Sequence, residues 1–159
     1  MPLKLCKVAP KKSLNAAFLK VRPLRSEIDL FKANLITLID KINESESEEN
    51  QKNHVRDFLL NTYYSGKNEV NTKGRQDLVI HTEAHNTSSV GVILETKRPT
   101  NKAEWISPDK PNNKALHELV LYYLRERVDA KNIDVKYLIA TNVYAVSYTH
   151  LTLPTSDLV

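Results

Sequence analysis

The sequence predicts an α/β domain with a mixed central sheet flanked by helices. Two amphipathic helical stretches come first. Three short strand-like runs rich in β-branched and aliphatic residues follow, and then a third helix and a fourth strand. The order α, α, β, β, β, α, β alternates the two element types too closely for an all-helical or all-strand protein.

The first helix is expected over residues 26–43, where Ile28, Phe31, Leu35, Leu38, Ile39 and Ile42 form one apolar stripe. Ser26 is the expected cap, with Asp29 three residues on. The acidic run from Asn43 to Asn50 starts a second helix, because carboxylates favour a helix N-terminus. That helix carries Val55, Phe58, Leu59 and Thr62 on one side and ends near Tyr63 and Tyr64, before a turn at Ser65–Asn68. Glu69–Thr72, Asp77–His81 and Val90–Lys97 read as strands, the last two joined by the polar loop Thr82–Ser89. Arg98 and Pro99 stop the third strand, since proline cannot donate to a ladder. A loop with Trp105, Pro108 and Pro111 leads to a helix over about Asn113–Val128, and Val135–Thr141 is the last strand.

At 159 residues the chain is long enough for one domain with a real core. Three glycines and neither GxGxxG nor GxxxxGK[ST] argue against a phosphate-cradling loop. The lone Cys6 excludes an internal disulfide and a multi-cysteine zinc site, which fits a reducing cytoplasm. No run of 18 apolar residues is present, so no membrane span is expected. The net charge of +4 is unevenly placed. Lys4, Lys7, Lys11, Lys12, Lys20, Arg22 and Arg25 precede the first acid, Glu27. Residues 1–24 therefore read as a basic arm suited to a polyphosphate partner, or as a solvated leader.

The chemistry-bearing residues are Asp77, Glu95 and Lys97. Side chains alternate along a strand, so Glu95 and Lys97 share a face and Thr96 points away. Folding the second and third strands as an antiparallel hairpin sets His81 opposite Gly91, Ile80 opposite Val92, Val79 opposite Ile93, Leu78 opposite Leu94 and Asp77 opposite Glu95. Aliphatics then oppose aliphatics on both faces. Two adjacent carboxylates repel, and a divalent metal removes that cost. Hard oxygen ligands suit Mg²⁺, with Asp77, Glu95 and the backbone carbonyl of Thr96 as candidate ligands. Lys97 would orient the attacking water or neutralise the phosphate. Lys73, Arg75, Arg98 and Lys102 supply a basic surround for a phosphate backbone. The competing reading is a surface salt bridge between Asp77 and Lys97.

The stretches KGRQDLVIH, VGVILETKRPTNKAEW and NKALHELVLYYLRER resemble the N-terminal nuclease region of type IIG restriction enzymes, which carry the PD-(D/E)XK signature. The resemblance runs over roughly Leu24–Tyr144. It implies a restriction-endonuclease-like α-β-β-β-α-β core over residues 25–145 and Mg²⁺-dependent cleavage of double-stranded DNA. It also implies Asp77, Glu95 and Lys97 as catalytic residues. The rest of such an enzyme would be covalently linked methyltransferase and target-recognition domains, the former using S-adenosylmethionine. A non-catalytic DNA-binding or scaffolding module on the same fold is the alternative.

A helix-borne glutamate before the first strand is often a further metal-site residue in such enzymes, and Glu48 or Glu49 is the candidate. Glu48 lies seven residues before Val55 and shares its face, whereas Glu49 is turned by about 100°. Glu118 and Tyr122 have the spacing of a Gln-x-x-x-Tyr pair found in related nucleases, but the glutamine is absent, so both are read as helix packing. His81 and His85, in H-x3-H spacing without a third ligand, read as solvated histidines. Trp105 is expected to pack either on DNA or on the domain. Residues 146–159 have no helical or strand logic continuing the fold and resemble the translation of a sequencing-library adapter. They are expected to be a non-native tail, with no function at His150.

Overall fold

The structure is a computed structural model that describes residues 8–43, 45, 47–74, 76–107 and 109–150, and the side chains of all of these but Pro10, Thr149 and His150. A helical turn α1 (Pro10–Ser13) precedes α2 (Arg25–Lys41) and α3 (Glu48–Leu59). Strands β1 (Val70–Lys73), β2 (Gln76–His81) and β3 (Val90–Thr96) follow, then α4 (Lys114–Leu124), β4 (Tyr137–Thr141) and β5 (Val146–His150). The five strands lie in sequence order in one mixed sheet. Only β3 and β4 run parallel, joined through α4, and the other neighbours are antiparallel. This is the α/β architecture with a helix-flanked mixed sheet that the sequence predicts.

Strand alternation divides the core in two. Val79 and Ile93 face α4 and join Ala115, Leu119, Tyr122, Leu138 and Ala140 in one buried cluster. Leu78, Ile80 and Leu94 face the other way, against Leu38 of α2, Val55 of α3 and Val70. Their almost complete burial supplies the main driving force for closing both layers. The expected register holds for Leu78–Leu94, Val79–Ile93 and Ile80–Val92. His81 instead pairs with Val90, because a bulge shifts the ladder by one residue there.

Local chemistry moves several boundaries. Leu24, not Ser26, precedes the first helical turn of α2, and the Glu27 carboxylate accepts a 2.7 Å hydrogen bond from the Leu24 amide. Asp29 is engaged with Arg25 at 3.0 Å instead of closing a box. The second helix starts at Glu48, where the Ser47 hydroxyl caps the Asn50 amide at 3.1 Å. Both α3 and α4 end in a widened π turn, at Leu60–Tyr64 and Arg125–Asp129.

His81 is buried, not solvated. Its ring nitrogens meet the Ser88 carbonyl at 2.7 Å and Asn71 Oδ1 at 3.2 Å, so neither is left for a metal. His85 is exposed, against Glu83 and Thr87. Trp105 packs against the α4-side core. Residues Val146–His150 do form a strand, contrary to expectation. The open outer edge of β4 accepts them, and valine and tyrosine alternate there with serine and threonine at the strand period. The rest of the expected tail, 151–159, lies outside the described residues. Among the described residues no helix is long and apolar enough to cross a membrane.

Candidate metal and phosphate site

Asp77 is the second residue of β2 and Glu95 the last but one of β3, both on the face that α4 covers, while Glu48 sits in the first turn of α3. One carboxylate oxygen from each of Glu48, Asp77 and Glu95 lies within 4.8 Å of the other two. The helix-borne candidate is thereby decided by position. Glu48 joins the cluster, whereas Glu49 turns to Lys52, 2.5 Å from its Nζ.

Thr96 behaves differently from expectation. Its amide and its hydroxyl each donate to Asp77 Oδ2 at 2.9 Å. The Asp77 carboxylate reaches one residue past its direct register position, so the Thr96 side chain serves the site instead of pointing away. Two donors on one oxygen fix the Asp77 carboxylate and leave Oδ1 for a cation. Lys52 Nζ, 3.9 Å from Oδ1, is the nearest one.

Lys97 is almost fully buried and surrounded by acids. Its Nζ lies 2.5 Å from Glu95, 3.0 Å from Glu48, 2.9 Å from Glu118 and 3.9 Å from Glu104. Burial alone would lower the Lys97 pKa, but these carboxylates outweigh it and hold the ammonium firmly charged. Glu95 is 1% exposed. Burial first, then the Asp77 charge and a hydrogen bond with Glu118, push its carboxyl up to about 9, against the opposing pull of Lys97. Burial would also raise Glu118, yet its bonds to Glu95 and Lys97 and the charges of Lys97 and Lys114 bring it below the usual range. Of these two neighbouring acids, burial and the Asp77 charge make Glu95 the one that favours the protonated form. The Tyr122 phenol is pushed up to about 12 by burial and by the charges of Glu95, Glu118 and Asp77.

Four carboxylates (Glu48, Asp77, Glu95 and Glu118) thus face two ammonium groups (Lys52 and Lys97). Fully ionised, the cluster carries an excess of negative charge that a divalent cation would neutralise. The donor set is all oxygen, as Mg²⁺ requires. Oxygen ligands on one Mg²⁺ stand about 3–4 Å apart, so oxygens within 4.8 Å need only small side-chain rotations to share an ion. Glu95 Oε2 and Glu118 Oε2 are both buried without a hydrogen-bond partner, which is where a proton held by Glu95 sits until a cation replaces it. The residues fit the ion.

Two contributors were not anticipated from the sequence. Glu118 was read as helix packing only, yet it holds Lys97 directly. Its signal was available: it lies three residues after Ala115 and four before Tyr122, on the face of α4 that the core buries. Lys52, with 9% exposure, gave no such signal, because a lysine on a charged helix reads as solvated.

Of the expected DNA-contacting residues, Arg98 and Lys102 are exposed, and Arg98 directly follows Lys97 in the chain. Lys73 is engaged elsewhere, 2.7 Å from the buried Glu126. Arg75 lies outside the described residues.

No curated protein and no solved structure matches this chain. One family does match, over residues 8–146, which takes in every element from α1 through β4 and all the clustered acids. The chain belongs to that family, described as Domain of unknown function (DUF7149).

Proposed function

We propose that this domain is a Mg²⁺-dependent endonuclease that hydrolyses phosphodiester bonds in double-stranded DNA. In this reading it is the cutting part of a type IIG-like restriction-modification enzyme. An S-adenosylmethionine-dependent methyltransferase and a target-recognition domain would complete that enzyme, and a cytoplasmic location goes with it. The observation that carries the reading is the convergence of Glu48, Asp77 and Glu95 on one volume, with Lys97 in contact with two of them.

Glu48, Asp77 and Glu95 would hold the ion. When bound, it supplies Lewis-acid stabilisation of the phosphate and lowers the pKa of a coordinated water. The chain's own residues set the stage. Thr96 fixes the Asp77 carboxylate through two donors. Lys97, kept charged by its acids, offers a cation to a non-bridging phosphate oxygen or a donor to the attacking water. Exposed Arg98 and Lys102 bind flanking phosphates without reading sequence.

In the intact enzyme, Asp77→Ala or Lys97→Ala is expected to abolish Mg²⁺-dependent cleavage of duplex DNA while leaving the domain folded. Cleavage retained by both variants would refute the assignment. Salt-dependent DNA affinity without Mg²⁺-dependent nicking by the unmodified enzyme would favour the scaffolding alternative.

A further inference from the structure

Lys97 occupies a position that the metal reading leaves unexplained. Its Nζ lies 2.5 Å from Glu95 and 3.0 Å from Glu48, two of the three residues whose oxygens converge. An ammonium and a divalent ion cannot both sit there closely, because they would repel at short range in a poorly solvated pocket. Lys97 also has a partner outside the triad, Glu118, at 2.9 Å. The side chain is 3% exposed, so Lys97 has no easy route into solvent.

We propose that Lys97 is the resident cation of the metal-free site, and that the site loads by exchange. The incoming divalent ion displaces the ammonium from Glu48 and Glu95, and Glu118 retains it within reach of the phosphate. Lys97 thus acts as a built-in competitor that weakens metal binding in the absence of DNA. Glu118 is a positioning residue that determines how easily Lys97 yields. This inference rests on the metal-dependent nuclease reading.

The test is Mn²⁺ binding to the full chain without DNA, measured by electron paramagnetic resonance of free Mn²⁺. Lys97→Met and Lys97→Gln provide two variants, so that a folding failure in one does not remove the test, and circular dichroism reports the fold of each. Both are expected to bind Mn²⁺ about tenfold more tightly than the unmodified protein, because a competing charge is gone. Glu118→Gln is expected to weaken binding, and by more in the unmodified background than in Lys97→Met. That non-additivity separates its action through Lys97 from the simple loss of a nearby charge. Folded Lys97 variants that bind no more tightly overturn the exchange and leave the nuclease reading standing. Equal effects of Glu118→Gln in both backgrounds overturn the role of Glu118. Absence of Mn²⁺ binding in every form overturns both the exchange and the metal site beneath it.

Discussion

Replacing Glu95 with glutamine is expected to stabilise the metal-free protein at neutral pH. Glu95 is 1% exposed, and its carboxyl is pushed up to about 9 from an ordinary 4.5 by burial, by Asp77 and by Glu118. A carboxyl raised on folding binds a proton in the native state that the unfolded chain releases. Its favourable contribution is complete below 4.5 and is lost steadily as pH rises, until the loss levels off near 9. Each pH unit in that window costs about 1.4 kcal/mol. At pH 7, about 2.5 units above the ordinary value, the ceiling is ~3 kcal/mol, and relaxation of the pocket will reduce it. Glutamine imitates the protonated acid: its oxygen can accept from Lys97 and its amide can donate to Glu118. We therefore expect Glu95→Gln to gain ~1–3 kcal/mol at pH 7 and little at pH 5. Urea denaturation between pH 5 and 9, with chelator present, measures both profiles. Parallel profiles, or a Glu95→Gln variant destabilised at pH 8, would refute the reasoning.

Three other perturbations follow from the packing and the buried charges. Burial would raise Glu126, but Lys73 at 2.7 Å and hydrogen bonds from Asn132 and Gln76 hold it below the usual range. Its stabilising contribution is therefore present above 4.5 and fades as pH falls through its lower folded value. Glu126→Gln should cost ~1–3 kcal/mol at pH 7 and remove part of the acid limb of the stability profile, read by thermal denaturation from pH 3 to 7. Leu78→Ala, at a fully buried position beside Asp77, should cost ~2–5 kcal/mol, seen as a lower urea midpoint at unchanged slope. Leu121→Ala, at 45% exposure on α4, should change stability by no more than about 0.5 kcal/mol.

These expectations separate what the sequence discloses from what only the fold supplies. The sheet was legible because its strands alternate aliphatic residues that must be buried on two faces. One register satisfied both faces, and Leu78–Leu94 and its neighbours adopt it. The same logic brought Asp77 near Glu95. The bulge at His81 and the cap at Leu24 were not legible, since each depends on a hydrogen bond that competes with an equally plausible local alternative.

Within the site, helical phase favoured Glu48 over Glu49 but left both as candidates. Glu118 was missed although its place on the buried face of α4 was readable, because that place does not say which cation from the sheet will meet it. Lys52 and Lys73 show the opposite difficulty. Lys52 drew no reading and Lys73 was expected to meet a phosphate backbone, yet both are taken up by acids of the chain itself, Glu49 and Glu126. The β5 strand shows how an open sheet edge recruits any segment of suitable alternation.

The measurement closest to the central claim is an anomalous difference map from a crystal of this protein grown with Mn²⁺. A peak bonded to the carboxylates of Glu48, Asp77 and Glu95, with Lys97 turned toward Glu118, is the result expected. An empty volume between those three side chains, at Mn²⁺ concentrations well above those that support cleavage, would contradict the account.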